Sequence, residues 1–225
     1  MNDVSKIVVL TDITIREIDH LWIGIPTPIV ASQGEVFHVL TALATSARNN
    51  AVSLLRSYYV DDQSGTASAC RNVLELAIFT KFVLKSRIHL LEFAADRLID
   101  GLQLAEGLQA IDQEIHPGKS SSFADEAIAA FKTQLSNENI GRRRYLRTED
   151  LAKAVGMESQ FATLNRICSK FVHPTSWSLL TLDCSLERFP SACELFLGQG
   201  SMHFAGIFAD MKAHLKEHGL SFPGE

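Results

Sequence analysis

The chain has 225 residues, 46% of them hydrophobic, and its 21 basic and 26 acidic side chains leave a formal net charge of -5 at pH 7. That balance suits a soluble globular chain with a sizeable core and excludes disordered, collagen-like and low-complexity classes. An acidic total also argues against a protein that coats nucleic acid with a generally basic surface, while leaving room for one local basic site.

No window offers the ~18–20 uninterrupted apolar residues of a membrane span, because Lys81, Lys85 and Arg87 break the richest stretch, so no membrane association is expected. The opening MNDVSKIVVLTD lacks a basic region followed by an apolar run and a small-residue cleavage site, which points to the cytoplasm. Cys70, Cys168, Cys184 and Cys193 fall singly, without a Cys-x-x-Cys pair, and read as buried free thiols in a reducing compartment.

In chain order, residues 1–33 read as an extended N-terminal arm. The β-branched run Ile7, Val8, Val9 suggests strand, Pro26 and Pro28 forbid a helix interior, and Trp22 and Ile23 would dock the arm on the body. From residue 34 the texture is helical. Over 35–60, Val36, Val39, Leu40, Leu43, Ala47, Leu54 and Leu55 form one apolar stripe, ended by the turn DDQSG at 61–65. The next helix, 66–86, is apolar nearly all round and is expected at the centre of the fold. Within it Arg71 and Glu75, four residues apart, are expected to pair as a buried structural couple.

Residues 88–113 continue as an amphipathic helix with Leu90, Leu98, Leu104, Leu108 and Ile111 on its apolar side. Ser122 and Asp125 open a helix over 123–136. Thr148 with Glu149 and Asp150 opens a short one that stops at Gly156, and Ser159 to Val172 forms another, stopped by Pro174. A long helix runs from beyond Pro190 to Glu217. The expected fold is all-α: a helical bundle at 34–218, read as one domain, after the extended N-terminal arm and before a tail at 219–225.

Two features could carry chemistry. In GRRRYLR, Arg142, Arg143, Arg144 and Arg147 crowd one segment beside Tyr145, which is either a solvated turn or an edge that contacts phosphates and guides RNA. In LNRICSKFVHP, Arg166 and His173 lie seven residues apart, which at about 100° per residue puts both on one helix face about two turns apart, with Ser169 between them. Such a stripe is commonly just the wet face of an amphipathic helix. It also suits a phosphate: a guanidinium holds two phosphate oxygens in a fork, and a near-neutral imidazole takes a proton from one oxygen and returns it to another. Without metal or cofactor, that pair fits cleavage of RNA by its own 2′-hydroxyl.

The Arg-x-x-x-x-x-x-His arrangement at a helix end in an all-helical chain resembles the HEPN superfamily, whose ribonuclease members use an Arg/His pair, usually across a dimer interface. The chain is also similar to a bacterial family of unknown function through RNVLE (Arg71, Glu75) and SKFVHP (Ser169, His173), over roughly residues 35–180. The resemblance implies a HEPN-like bundle and a metal-independent endoribonuclease of toxin or phage-defence type. His173 would be its acid and base, Arg166 its phosphate clamp and Ser169 the residue orienting His173. It further implies a homodimer, an RNA substrate and a protein partner such as an antitoxin. The alternative is a non-catalytic binding or scaffold protein that uses the same polar face for a protein partner or small ligand. Where ribonuclease members often carry a polar residue after the Arg, this chain has Ile167, and its polar neighbour is Asn165.

The remaining motifs carry no site. His214, Glu217 and His218 spell His-x-x-Glu-His, but few residues follow to supply a third zinc ligand, so no metal is expected. Gly198, Gly200 and Gly206 do not fit a dinucleotide fingerprint, Gly65 begins no P-loop, and no serine sits in Gly-x-Ser-x-Gly.

Overall fold

The computed structural model describes residues 3–21, 34–117, 122–137, 146–173 and 192–218. Among them are eight helices and no strand: α1 (Asp3–Leu21), α2 (Gly34–Tyr59), α3 (Gln63–Lys85), α4 (Arg87–Ile115), α5 (Ser122–Asn137), α6 (Thr148–Ala154), α7 (Glu158–Val172) and α8 (Ala192–Glu217). The chain is an all-α helical protein. No described helix is long and apolar enough to cross a membrane.

The helix ends follow from particular residues. After α2, Asp61 takes the left-handed conformation (φ 55) that an Asp tolerates better than most residues. The Asp62 carboxylate then accepts the Gly65 amide at 2.9 Å and caps the start of α3. Ser86, extended at φ -167, ψ 163, opens α4. Gly156 (φ 73) turns the chain out of α6, with the Met157 amide donating to the Ala152 carbonyl at 2.8 Å. His173 leaves α7 in an extended conformation (φ -102, ψ 143), the one favoured before Pro174.

The described chain divides into two compact units, Met1–Lys85 with Thr148–Glu225, and Ser86–Arg147. In the first, α3 packs against α2, α6, α7 and α8, the central position expected from its apolar circumference. Cys70, Val73, Leu74 and Ile78 of α3 are fully buried, as are Leu54 of α2 and Phe196 and Phe204 of α8. At Gly200 of α8 a Cβ would lie 2.6 Å from the Cδ2 of the buried Leu54 of α2 and 3.4 Å from the Cys70 Cα of α3, so a larger residue there would have to displace the Leu54 side chain.

Residues 3–21, expected as part of an extended arm, form α1 instead. The β-branched run is part of a helical stripe, Ile7, Thr11, Ile15 and Ile18, whose last three members are buried, while Val9 and Leu10 are exposed. Tertiary packing overrides local β-propensity here. The Thr11 hydroxyl lies 2.8 Å from that of Ser201 on α8, and Arg48 of α2 grips Asp19 at 2.6 and 3.0 Å. The prolines and Trp22 of the expected arm lie outside the described residues.

The second unit is a pair of helices. Phe131 of α5 lies over Gly101 of α4, where a Cβ would come within 2.5 Å of the ring, and Gln109 donates to Asp125 at 2.5 Å. The Leu146 amide donates to Asp96 at 3.2 Å. Burial and the neighbouring Asp100 hold the Asp96 carboxyl above its ordinary range, and burial does the same for Asp100. Part of the apolar side expected to face a core does not: Leu104, Leu108 and Ile111 are exposed at 66%, 47% and 55%.

Candidate functional site

α7 is an amphipathic helix lying on α3. Its inner side carries Leu164 and Cys168, both buried, and Phe171 meets Phe196 of α8 edge to face at 5.1 Å. That packing fixes the rotation of the helix and turns Arg166 and His173 outward together, both exposed. Lys170 is exposed too. At about 100° per residue Arg166, Lys170 and His173 fall within one arc of roughly 60°, and Thr163 and Ser159 continue the same line toward the start of the helix. After Glu158 the helix carries no acidic residue, so an acidic protein presents here a face of one positive sign.

Among the described residues Arg166 has no carboxylate within ion-pair distance. Along the axis Arg166 and His173 are seven residues, about 10 Å, apart at the usual helical rise. Ser169 does not orient His173 through its hydroxyl, which donates to the Asn165 carbonyl at 2.7 Å, the common i-4 bond of a helical serine. It is the Ser169 carbonyl that reaches the histidine, accepting the His173 amide at 3.2 Å and holding the backbone at the helix end.

Arg71 and Glu75 pair as expected from their spacing, Nε to Oε1 at 3.1 Å, but their side chains are 31% and 25% exposed. The pair is half-buried because α3 keeps one narrow polar edge, on which Asn72 also donates to Asn50 of α2 at 3.0 Å. The Arg71 guanidinium acts electrostatically on the Cys168 thiol, so the polar edge of α3 adjoins the inner side of α7. Cys70 and Cys168 are both fully buried where α3 meets α7, and the neighbouring Cys168 thiol, with burial, pushes the Cys70 thiol up. Burial likewise raises the Cys193 thiol. The Asn165 side-chain oxygen is buried and, among the described residues, has no hydrogen-bond partner.

Of the arginine-rich segment, Arg142, Arg143 and Arg144 lie outside the described residues, and Arg147 is exposed. A cavity of about 400 Å3 among the described residues of the first unit is lined by Lys81, Lys85, Ala154, Asp210, His214 and Glu217, together with Leu84, Val155 and Ala213. None of the α7 residues belongs to it. Its lysines are engaged, Lys81 with Asp210 at 2.8 Å and Lys85 with the Ala154 carbonyl at 2.9 Å. The His214 and His218 rings stack edge to face at 4.5 Å, and burial, with His218, lowers the His214 pKa.

The sequence profile of a family of unknown function, DUF5677, matches residues 37–188. The chain belongs to this family. The match spans α2 to α7 and so contains both the Arg71/Glu75 pair and the α7 face. No curated protein and no solved structure matches the chain.

Two residues of the site escaped the sequence reading. Lys170 was legible, since 166, 170 and 173 are spaced by four and three. Asn165 was not, since only packing shows that its amide oxygen turns inward without a partner.

Proposed function

We propose that the outer face of α7 is where this protein meets its ligand, and that the ligand is RNA, contacted through its phosphates and cleaved without a metal in the manner of HEPN-like ribonucleases. The observation that carries this reading is the exposed row of Arg166, Lys170 and His173, free of acidic residues, on a chain whose net charge is -5. Arg166 is the phosphate clamp, since among the described residues its guanidinium has no carboxylate partner and its planar fork suits two phosphate oxygens. His173 is the acid and base. It takes the proton of the RNA 2′-hydroxyl, the 2′-oxygen attacks phosphorus, and the 5′-oxygen leaves with a proton, giving a 2′,3′-cyclic phosphate and a 5′-hydroxyl end. Lys170 adds charge between them.

The ~10 Å between Arg166 and His173 along one helix is long for two groups acting on one phosphate. A twofold homodimer that juxtaposes two α7 faces, Arg166 of one copy near His173 of the other, shortens that span. The arginine-rich segment 142–147 guides the strand in this scheme. A toxin or phage-defence role in the cytoplasm, with an antitoxin as partner, is the biological setting that the HEPN resemblance supplies.

One observation favours a second reading, non-catalytic binding of a protein partner or small ligand by the same face. The Ser169 hydroxyl donates to the Asn165 carbonyl rather than to His173.

The test is incubation of the purified protein with mixed RNA in EDTA, wild type beside His173→Ala. The proposal predicts fragments ending in 2′,3′-cyclic phosphate from the wild type and none from the variant. Equal cleavage by both, or none by either at any protein concentration, contradicts it.

A further inference from the structure

The second half of α4 carries an unusual outer surface. Leu104, Leu108, Ile111 and Ile115 recur at spacings of four, three and four, the seam pattern of a helix that packs on another helix. All four are exposed, at 66%, 47%, 55% and 64%. Their own partner helix does not use them: α5 packs on the adjoining side of α4, through Gly101, Ala105 and Gln109. The result is a contiguous apolar strip on the order of a few hundred Å2, the size of the largest patch on a typical monomer, which is often functional.

The charge around the strip is as one-sided as the strip is apolar. From Leu98 to Ile115 the chain has Asp100, Glu106, Asp112 and Glu114 and no lysine or arginine. At about 100° per residue, Asp112 borders one side of the strip, while Asp100 and Glu114 border the other. Glu106 lies away from it, 3.6 Å from Lys132 of α5. Gly107 sits beside the strip, and a Cβ there would meet no heavy atom within 4 Å, so nothing in the described chain requires a glycine in this helix interior. A second helix lying along the strip gives it a use, since glycine admits close backbone approach.

We infer that this face of α4 is a docking site for an amphipathic helix of another protein, one that brings leucine-like side chains at the same spacing and lysine or arginine along its borders. The borders decide the occupant. In a second copy of α4, parallel or antiparallel, carboxylates would meet only carboxylates, and like charges at those positions select against pairing. An anionic lipid surface is repelled for the same reason. A basic amphipathic helix satisfies both the apolar seam and the acidic rim.

The test uses the full chain and two fluorescein-labelled helical peptides, one of leucine and lysine, the other of leucine and glutamate in the same pattern, followed by anisotropy. Wild type is expected to bind the leucine–lysine peptide saturably and to ignore the leucine–glutamate one. The double variant Leu108→Ser/Ile111→Ser should lose about tenfold or more in affinity, the effect of removing central anchors. Leu10→Ser, which removes an exposed leucine on α1, should change nothing. The pair Asp112→Lys/Glu114→Lys should reverse the preference between peptides. All substituted positions lie outside the core, so circular dichroism should match wild type; a variant that fails this check is replaced by Leu104→Ser/Ile115→Ser. Equal binding by wild type and the Leu108→Ser/Ile111→Ser variant overturns the inference. So does a wild-type dimer that sediments as a monomer only in that variant, which would make the occupant a second copy, or binding to phosphatidylserine vesicles lost in that variant, which would make it a membrane.

Discussion

The outer faces of α7 and α4 share a spacing and differ in everything else. Each is a row of side chains at intervals of three and four on a helix whose other side is packed, α7 on α3 and α4 on α5. The α7 row pairs two cations, Arg166 and Lys170, with the imidazole of His173, and the α4 row is apolar with a border of carboxylates. The support beneath them differs as well. α3, on which α7 lies, buries eleven of its 23 residues, whereas α4 buries four of its 29: Leu90, Ala95, Leu98 and Ala105. A face meant for a polyanion can sit on a finished core, because charge needs no further burial. An apolar face on a thinly packed helix is unfinished until something covers it.

The largest expected effect separates those two kinds of leucine. Leu74→Ala, in the fully buried part of α3, should cost about 2–5 kcal/mol in urea denaturation, whereas Leu108→Ala on α4 should stay within about 0.5 kcal/mol. A cost for Leu108→Ala comparable to that of Leu74→Ala would mean that the α4 strip is already buried by the chain itself.

Next in size is the polar edge between α3 and α7. Because Arg71 and Glu75 are each about a quarter to a third exposed, Arg71→Ala should cost about 1 kcal/mol or less, the scale of a partly solvated pair rather than of a buried one. A loss of several kcal/mol would show that the pair is effectively desolvated and that α7 depends on it.

The smallest effect is a divergence with pH. Burial lowers the pKa of His203 and, with His218, that of His214, both on α8, so the folded state favours their neutral forms. Above their ordinary value of 6.5 that contribution is complete; as pH falls from 6.5 through the lowered folded values, the unfolded chain binds protons first and stability is lost. Asp96 and Asp100 on α4 are raised, so there the folded state binds protons first, and stability is gained as pH falls from the raised values toward the ordinary 3.8. Hydrogen exchange resolved by helix should find α8 opening more readily at pH 5.5 than at pH 7.5, with α4 unchanged or slower. Parallel acceleration in both helices would contradict the assignment.

Much of the fold was legible because α2 to α8 carry their apolar residues at helical spacing and end at recognisable residues, Asp62, Ser86, Gly156 and Pro174. α1 was misjudged because three consecutive β-branched residues outweighed the longer stripe of Ile7, Thr11, Ile15 and Ile18, which only packing on α8 and α2 makes decisive. On α7 the step of seven places Arg166 and His173 on one face, but spacing alone does not say which way the Ser169 hydroxyl turns. A helical serine can turn to its own i-4 carbonyl as readily as to a side chain, and spacing does not distinguish the two. On α4 the pattern of Leu104, Leu108 and Ile111 was visible, but periodicity tells which residues share a face and not whether anything covers it.

The central claim, that the cationic face of α7 contacts RNA phosphates, is tested most directly by titrating the full chain into fluorescein-labelled single-stranded RNA in EDTA over a series of salt concentrations, as wild type and as Arg166→Ala/Lys170→Ala. The account predicts weaker binding by the variant and a slope of log affinity against log salt that is shallower by about 1.4, roughly 0.7 for each lost phosphate contact. An unchanged affinity and an unchanged slope would place the RNA elsewhere or nowhere on this protein.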